Sequence, residues 1–297
     1  MGPEVDGGSL LKALDELAQV GAIEGGGCAR LALSDEDKAG RDLVVGWMKA
    51  LGLEVGIDAI GNVVGLRPGR ENLPPIMTGS HIDTVRTGGR YDGNYGVLAG
   101  LEIVRALNVA NIATRRPIAV AFFTNEEGAR FQPDMMGSLV YAGGLGLNEA
   151  YAAADKDGIA VGDELRRIGY LGTLPPGALR PHAFLELHIE QGPILDEARV
   201  RIGVVESVQG ISWTEYTVTG VFNHAGTTDV VALDPQRIED VEEHGDGGES
   251  AGSQLGKARL RPIEGDVLAV DGKAPVALGG ARVAHLEEAG AQVKVVA

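Results

Sequence analysis

The stretch Gly79-Ser-His81-Ile-Asp83-Thr-Val85, followed by Gly88-Gly-Arg-Tyr-Asp92-Gly93 and an apolar run to Glu102, decides how this chain is read. It gathers a histidine and two carboxylates around glycine turns, directly after the short apolar segment Pro75 to Met77. Phe122-Phe123-Thr-Asn-Glu126-Glu127-Gly128 repeats the pattern of an apolar strand ending in acids. Phe184-Leu-Glu-Leu-His188-Ile-Glu190-Gln191-Gly192 ends another such strand on a histidine. Strand ends delivering His, Asp, Glu and His make a metal-site constellation, because imidazole and carboxylate together suit zinc-like ions. The residues point to metal-dependent hydrolytic chemistry in the first three-quarters of the chain.

Outward from these clusters, the pattern predicts alternating strands and helices. Ser34-Asp-Glu-Asp37 has the form of a capping box opening a helix. Leu43, Val44, Trp47, Met48 and Leu51 then share one helical face, and Gly52 supplies a stop. Val55 to Leu66 reads as two short strands around a turn near Gly61-Asn62. Ile76 to Ser80 reads as a buried strand, and Val97 to Leu107 as the helix that follows. Ile118 to Phe123 is wholly apolar, as strands buried on both faces are, and Ala183 to Ile189 follows after a polar, helical interval. The expectation is an α/β fold, a mostly parallel sheet with flanking helices. Ligands of such sheets sit beyond the carboxyl ends of the strands, where His81, Glu126, Glu127 and His188 fall. Ile202 to Val208 and Trp213 to Val221 are adjacent strand-like runs that open a separate antiparallel subdomain.

Composition narrows the function class. A net charge of -16 argues against nucleic acid, which needs a basic face. The lone Cys28 excludes an internal disulfide and fits a reducing cytosol. The N-terminus shows no basic segment leading into an apolar core, so no signal peptide is expected. Apolar runs such as Ile118 to Phe123 are too short to span a bilayer. A cytoplasmic location follows as the expectation.

Each candidate has a bland reading beside the chemical one. His81 and Asp83 are two apart, so on extended chain they point to one side. The carboxylate can then hold a metal-bound imidazole in its tautomer. Alone, His81 reads as a buried hydrogen-bonded histidine, and the company of Asp92, Glu127 and His188 displaces that reading. Asp92, in Asp-Gly, reads in isolation as an Asx turn; in context its two oxygens can bridge two ions. Adjacent Glu126 and Glu127 repel, so one suits a metal and the other stays free to take a proton from water. Glu190 and Gln191 are placed to contact substrate. His224, in Asn223-His-Ala-Gly-Thr-Thr228, can donate to a developing oxyanion, though alone it reads as structural.

At these residues the chain resembles the M20 metallopeptidase family, and within it the amidase branch: N-carbamoyl-L-amino-acid hydrolases, β-ureidopropionases and allantoate amidohydrolases. The strings that carry the resemblance are Gly79 to Val85, Gly88 to Gly93, Asn125-Glu-Glu-Gly-Ala-Arg-Phe131, Glu186-Leu-His-Ile-Glu-Gln-Gly192 and Asn223 to Thr228. Phe131 to Ser138 is nearer to the carbamoylase and ureidopropionase members. The resemblance covers residues 10 to 228. It implies a zinc-exopeptidase-like catalytic domain with two divalent ions, zinc foremost, with manganese or cobalt as alternatives. It implies His81, Asp92 and His188 on one ion, Asp92 bridging to a second held by Glu127, and Glu126 as general base. His224 is implied as reaching a partner subunit's site, and Gln191 as lying near the substrate. The implied reaction is hydrolysis of an N-carbamoyl-amino acid by a homodimer. Rival readings are an allantoate amidohydrolase or peptidase on the same site, and a non-catalytic remnant.

The departure from the family begins after Thr228. Family members continue with Pro-Met and a long helix, then return to the catalytic domain with a Gly-His-Asp-Ala string; here Asp229-Val-Val follows. His244 and His285 do not match that string, and no aromatic residue occurs after Phe222. The expectation is a catalytic domain at 1–208 without its C-terminal return. An incomplete α+β dimerisation domain is expected at 209–297, with a frameshifted or truncated tail from 229.

Overall fold

Six consecutive apolar residues, Ile118–Phe123, form the strand at the centre of the fold, β4 below. The computed structural model describes residues 2–206 and, beyond them, short strands within 215–216, 243–244, 260–262, 267–270, 276–277 and 293–296. The chain divides into two compact units, one of Met1–Glu206 with Glu288–Ala297 and one of Ser207–Glu287.

The first unit opens with helix α1 (Gly7–Ala18), capped by the Asp6 carboxylate, which accepts the N–H groups of Gly8 and Ser9. Helix α2 (Asp35–Ala50) begins at the expected place, with the Ser34 hydroxyl accepting Asp37 N–H at 3.2 Å. β1 (Glu54–Ile57) and β2 (Val63–Arg67) follow as an antiparallel pair. Then come β3 (Ile76–His81), α3 (Asn94–Val109) and β4 (Ile118–Phe123). Three short helices, α4 (Met136–Ala142), α5 (Leu147–Ala152) and α6 (Val161–Ile168), precede β5 (Ala183–Leu187), and α7 (Ile194–Glu197) follows it.

The sheet is mixed, which corrects the mostly parallel sheet expected. β3 pairs in parallel with β4 and β5, while β2 lies antiparallel to β4. The cause is topological: the turn at 58–62 is too short for a crossover, so β1 and β2 form a hairpin, and the hairpin docks on β4 through β2. The three strands that matter for the site, in the order β4-β3-β5, are the parallel ones. Their carboxyl ends therefore finish on one edge of the sheet.

Both faces of the sheet are covered. Val120 and Phe122 of β4 enter the larger core with Val44, Met48, Val97 and Val104; Ala119 and Ala121, on the other face, join Met77 and Phe184. α3 lies close on β3 because its inner face carries glycine: a Cβ on Gly100 would stand 2.8 Å from Thr78 Cγ2, and one on Gly96 would stand 2.6 Å from the Leu187 carbonyl oxygen. That proximity brings the start of α3 to the end of β3.

A short C-terminal strand, Val293–Val296, which the sequence pattern does not predict, lies antiparallel along Phe184–Leu187. In the second unit, Glu215–Tyr216 pairs with Glu243–His244, and Val267–Val270 pairs with both Leu260–Pro262 and Val276–Ala277. Residues 202–206 carry a single bridge residue, Val204, where a strand was expected. Apart from Glu215–Tyr216, the run expected at Trp213 to Val221 lies outside the described residues.

Candidate metal centre and active site

His81 is the last residue of β3 and is 1% exposed. Its Nδ1 lies 2.9 Å from the backbone carbonyl of Asp83. A carbonyl only accepts, so Nδ1 carries the hydrogen and the Nε2 lone pair is left for the site. His188, just past β5, repeats the device, with Nδ1 2.9 Å from the carbonyl of Ile189. Both imidazoles thus present Nε2 toward Asp92: His188 Nε2 is 3.0 Å and His81 Nε2 3.8 Å from Asp92 Oδ1. Asp92 occupies the turn before α3, where Gly93 has φ 63° and a Cβ would stand 2.4 Å from His81 Nε2. Only glycine admits both that backbone and that ring.

The Glu126-Glu127 loop leaves β4 through Asn125 (φ 53°) and turns at Gly128 (φ 60°). The Asn125 amide donates to the carbonyls of Phe131 at 3.0 Å and Pro133 at 3.1 Å, closing the loop on itself. The N–H groups of Glu126 and Glu127 both donate to the Asp83 carboxylate, each at 3.3 Å. Asp83 was expected to steady His81 through its side chain. In the structure its carbonyl holds the ring, and the carboxylate, 3.9 Å from His81 Nδ1, instead anchors the acidic loop. Glu126 Oε2 lies 3.3 Å from His81 Nε2.

The structure therefore brings His81, Asp92 and His188 together, with one ligand atom from each lying within 4.8 Å of the others. Glu126 stands at their edge. Glu127 joins through its backbone and is not in that three-donor group. Gln191 Nε2 donates to Asp92 Oδ2 at 2.6 Å, a contact that sequence spacing alone did not signal. His224 lies outside the described residues.

The electrostatics describe a site that wants a cation. Burial alone would depress the His81 imidazolium, yet the carboxylates of Glu126, Asp83, Glu127 and Asp92 outweigh it and raise its pKa to about 9. For His188, burial is likewise overcome, by the bond to Asp92, and the pKa rises. Burial pushes Glu127 up to about 7 and Asp83 up to about 6. Asp92 is half-buried, which works to raise its pKa, but its bond from His188 and the nearby His81 hold it low. A metal ion meets the same need as the proton on His81. The donors fit one: zinc bonds of about 2.0–2.2 Å in a tetrahedron set ligand atoms roughly 3.3 Å apart, which the 3.0 and 3.8 Å separations bracket.

Residues 77–295 match the family described as peptidase family M20/M25/M40. The chain belongs to this family. The match runs past Thr228, where the motif-by-motif resemblance ended. This M20 chain is 47% identical over 225 residues to an N-carbamoyl-L-amino-acid amidohydrolase of Rhizobium meliloti, covering 75% of the chain and 54% of that protein. It is 39% identical over 250 residues to an N-carbamoyl-L-amino acid amidohydrolase of Geobacillus stearothermophilus, covering 80% of the chain and 61% of that protein. Among solved structures, a hydantoinase/carbamoylase family amidase from Burkholderia vietnamiensis superposes with a TM-score of 0.72 at 50% identity, over 77% of the M20 chain and 55% of its own. The M20 chain thus spans between 54% and 61% of the length of these curated relatives. Among its described residues no helix is long and apolar enough to cross a membrane.

Proposed function

We propose that this chain carries metal-dependent hydrolysis of the N-carbamoyl group of an L-amino acid or a β-amino acid. One observation carries the reading: two imidazole Nε2 atoms and an Asp92 oxygen converge, with a further carboxylate, Glu126, 3.3 Å from His81. The names of the relatives support the substrate class. His81, Asp92 and His188 would hold one divalent ion, zinc first, with manganese or cobalt as alternatives. A second, were it bound, would be held by Asp92 and Glu127. When bound, such ions polarise a carbonyl and acidify a water.

The chain's own groups do the rest. Glu126 takes the proton of the attacking water at Oε2 and returns it to the departing nitrogen. The bond between the carbamoyl carbon and the amino-acid nitrogen breaks, and the carbamate released falls to ammonia and carbon dioxide. Asp83 fixes the Glu126 backbone, Gln191 meets the substrate, and His224 donates to the carbonyl oxygen as its charge develops. The proposed working form is a cytoplasmic homodimer joined near Trp213 to Val221. A clean monomer by sedimentation at micromolar concentration would remove that interface.

A second reading, a metal-binding chain without turnover, is favoured by one fact: the described residues assemble donors for a single ion. Chain loaded with zinc, manganese or cobalt and offered N-carbamoyl-L-amino acids, N-carbamoyl-β-alanine, allantoate and dipeptides separates the readings. Release of ammonia from the carbamoyl compounds, lost in Glu126→Gln while bound metal is retained, is the expected result. Turnover of allantoate or dipeptides alone overturns the substrate class. Metal retention with no turnover of any of them leaves the second reading, and substantial activity in Glu126→Gln removes Glu126 from the mechanism.

A further inference from the structure

Arg30 is fully buried, and among the described residues it makes no ion pair with a carboxylate. An uncompensated buried charge is costly to keep, so its neutral bonds must matter. Its Nε donates to the carbonyl of Ile82 at 2.7 Å and its Nη2 to Asn94 Oδ1 at 2.9 Å. Its Nη1 donates to Leu17 O at 3.1 Å, Val20 O at 2.7 Å and Cys28 Sγ at 3.2 Å. The backbone of Arg30 is tied in as well, to Thr84, through its N–H at 2.8 Å and its carbonyl at 2.9 Å. α2 leaves room for the stem, since a Cβ on Gly40 would stand 2.7 Å from Arg30 Cδ.

Two of these acceptors matter for the site. Ile82 lies between His81 and Asp83, and bonding its carbonyl fixes the peptide that leads to the Asp83 carbonyl holding the His81 ring. Asn94 is two residues past Asp92, at the first position of α3. One planar, rigid fork therefore spans the two segments that deliver His81 and Asp92. An ammonium has no such geometry, because its donors radiate from one atom.

We propose that Arg30 is a positioning residue, which sets the segment carrying His81 and the segment carrying Asp92 in register. The inference rests on the reading of that cluster as a metal site and adds a supporting residue to it. The fork, rather than the charge, is the active element, so Arg30→Lys is the informative change. Arg41→Lys is its control: Arg41 is equally buried, on Asp37, Gly61 and Thr124, and bonds neither segment.

Two measurements on the purified chain test it. Amide exchange of the metal-free chain reads the tie itself: in Arg30→Lys, residues 82–85 and 94–97 should lose protection together, and in Arg41→Lys they should keep it. Titration with Co2+, followed by visible absorption, reads the consequence. Loss of a group bonded directly to a metal ligand weakens binding about 10- to 100-fold; Arg30 acts one bond further out, so Arg30→Lys should show a loss near the lower end of that range, about 10-fold, with an altered band. Arg41→Lys should bind as the parent does, even where its melting temperature falls as far. Unchanged exchange in both segments, or Co2+ binding in Arg30→Lys equal to the parent's, overturns the proposal. A parent chain that binds no Co2+ strikes the metal reading instead, and the exchange data still decide the tie. Should Arg30→Lys fail to fold, Asn94→Ala removes the strap to α3 together with the Asn94 Nδ2 bond to the Arg90 carbonyl, and lost protection at 82–85 with weaker Co2+ binding is the result it must show.

Discussion

Replacing Gly93 by alanine should damage the site and the fold through one methyl group. Gly93 has φ 63°, and a Cβ there would lie 2.4 Å from His81 Nε2 and 2.5 Å from both Cδ2 and Cε1. Its ψ of -48° puts it outside the left-handed helical region as well, and backbone so sparsely populated costs a non-glycine residue about 1–3 kcal/mol. The clash adds to this, because the ring is buried and held at Nδ1 by the Asp83 carbonyl. Relief requires the ring or the turn to move about 1 Å to reach ordinary contact distance, and overpacking of that kind costs roughly 1–3 kcal/mol. The sum is a destabilisation of about 2–6 kcal/mol. His81 Nε2 would also leave its place opposite Asp92 and His188, so Co2+ affinity should fall by about 10-fold or more. Urea denaturation of the metal-free chain gives the first number, and Co2+ titration gives the second. Gly46→Ala is the companion measurement. Gly46 sits within α2 with nothing near its missing Cβ, and alanine there should stabilise by roughly 0.5–1 kcal/mol. If Gly93→Ala unfolds at the parent's urea midpoint and binds Co2+ as tightly, the close-approach argument is wrong.

Other groups make separate predictions. Burial raises Asp58 to about 6, against bonds from Asn62 and Ile60 that favour its charge. The folded state then holds a proton that the unfolded chain has released, so this residue's contribution falls as pH rises from about 4 to about 6. The urea midpoint of Asp58→Asn should decline less over that window than the parent's; parallel curves would refute the shift. Arg41 pairs with Asp37 at 2.8 Å, both fully buried, and lies over the rings of Phe122 and Tyr170. Arg41→Met strands the Asp37 charge and should cost about 3–5 kcal/mol by denaturant unfolding. A loss under about 1 kcal/mol would mean that the pair behaves like one exposed to water.

The local elements were legible because their signals are local. Ser34 and Asp37 mark the start of α2, unbroken apolar residues mark β4, and the strings around His81, Glu126 and His188 mark strand ends. Each depends on residues within a few positions, and the structure places each element where the pattern did. Helix α1 escaped the reading, and so did the antiparallel docking of β2 on β4. Side-chain alternation says that a segment is a strand, but not which neighbour it pairs with or in which direction.

By itself the sequence determined which residues are chemically able to hold a metal, and that strand ends carry them. Tertiary structure decided how they meet. His81 and His188 converge because β3 and β5 are parallel neighbours, and Asp92 joins them because glycines let α3 approach β3. The work of Asp83 also changed: its carbonyl, not its carboxylate, holds the imidazole, and the carboxylate holds the acidic loop. Arg30 gave no signal at all in Cys28-Ala-Arg-Leu31, since its partners Ile82 and Asn94 lie 52 and 64 residues away. One of them is a backbone carbonyl, which every residue type possesses. Bonds of that kind leave no mark on residue identity and exist only once the chain has folded.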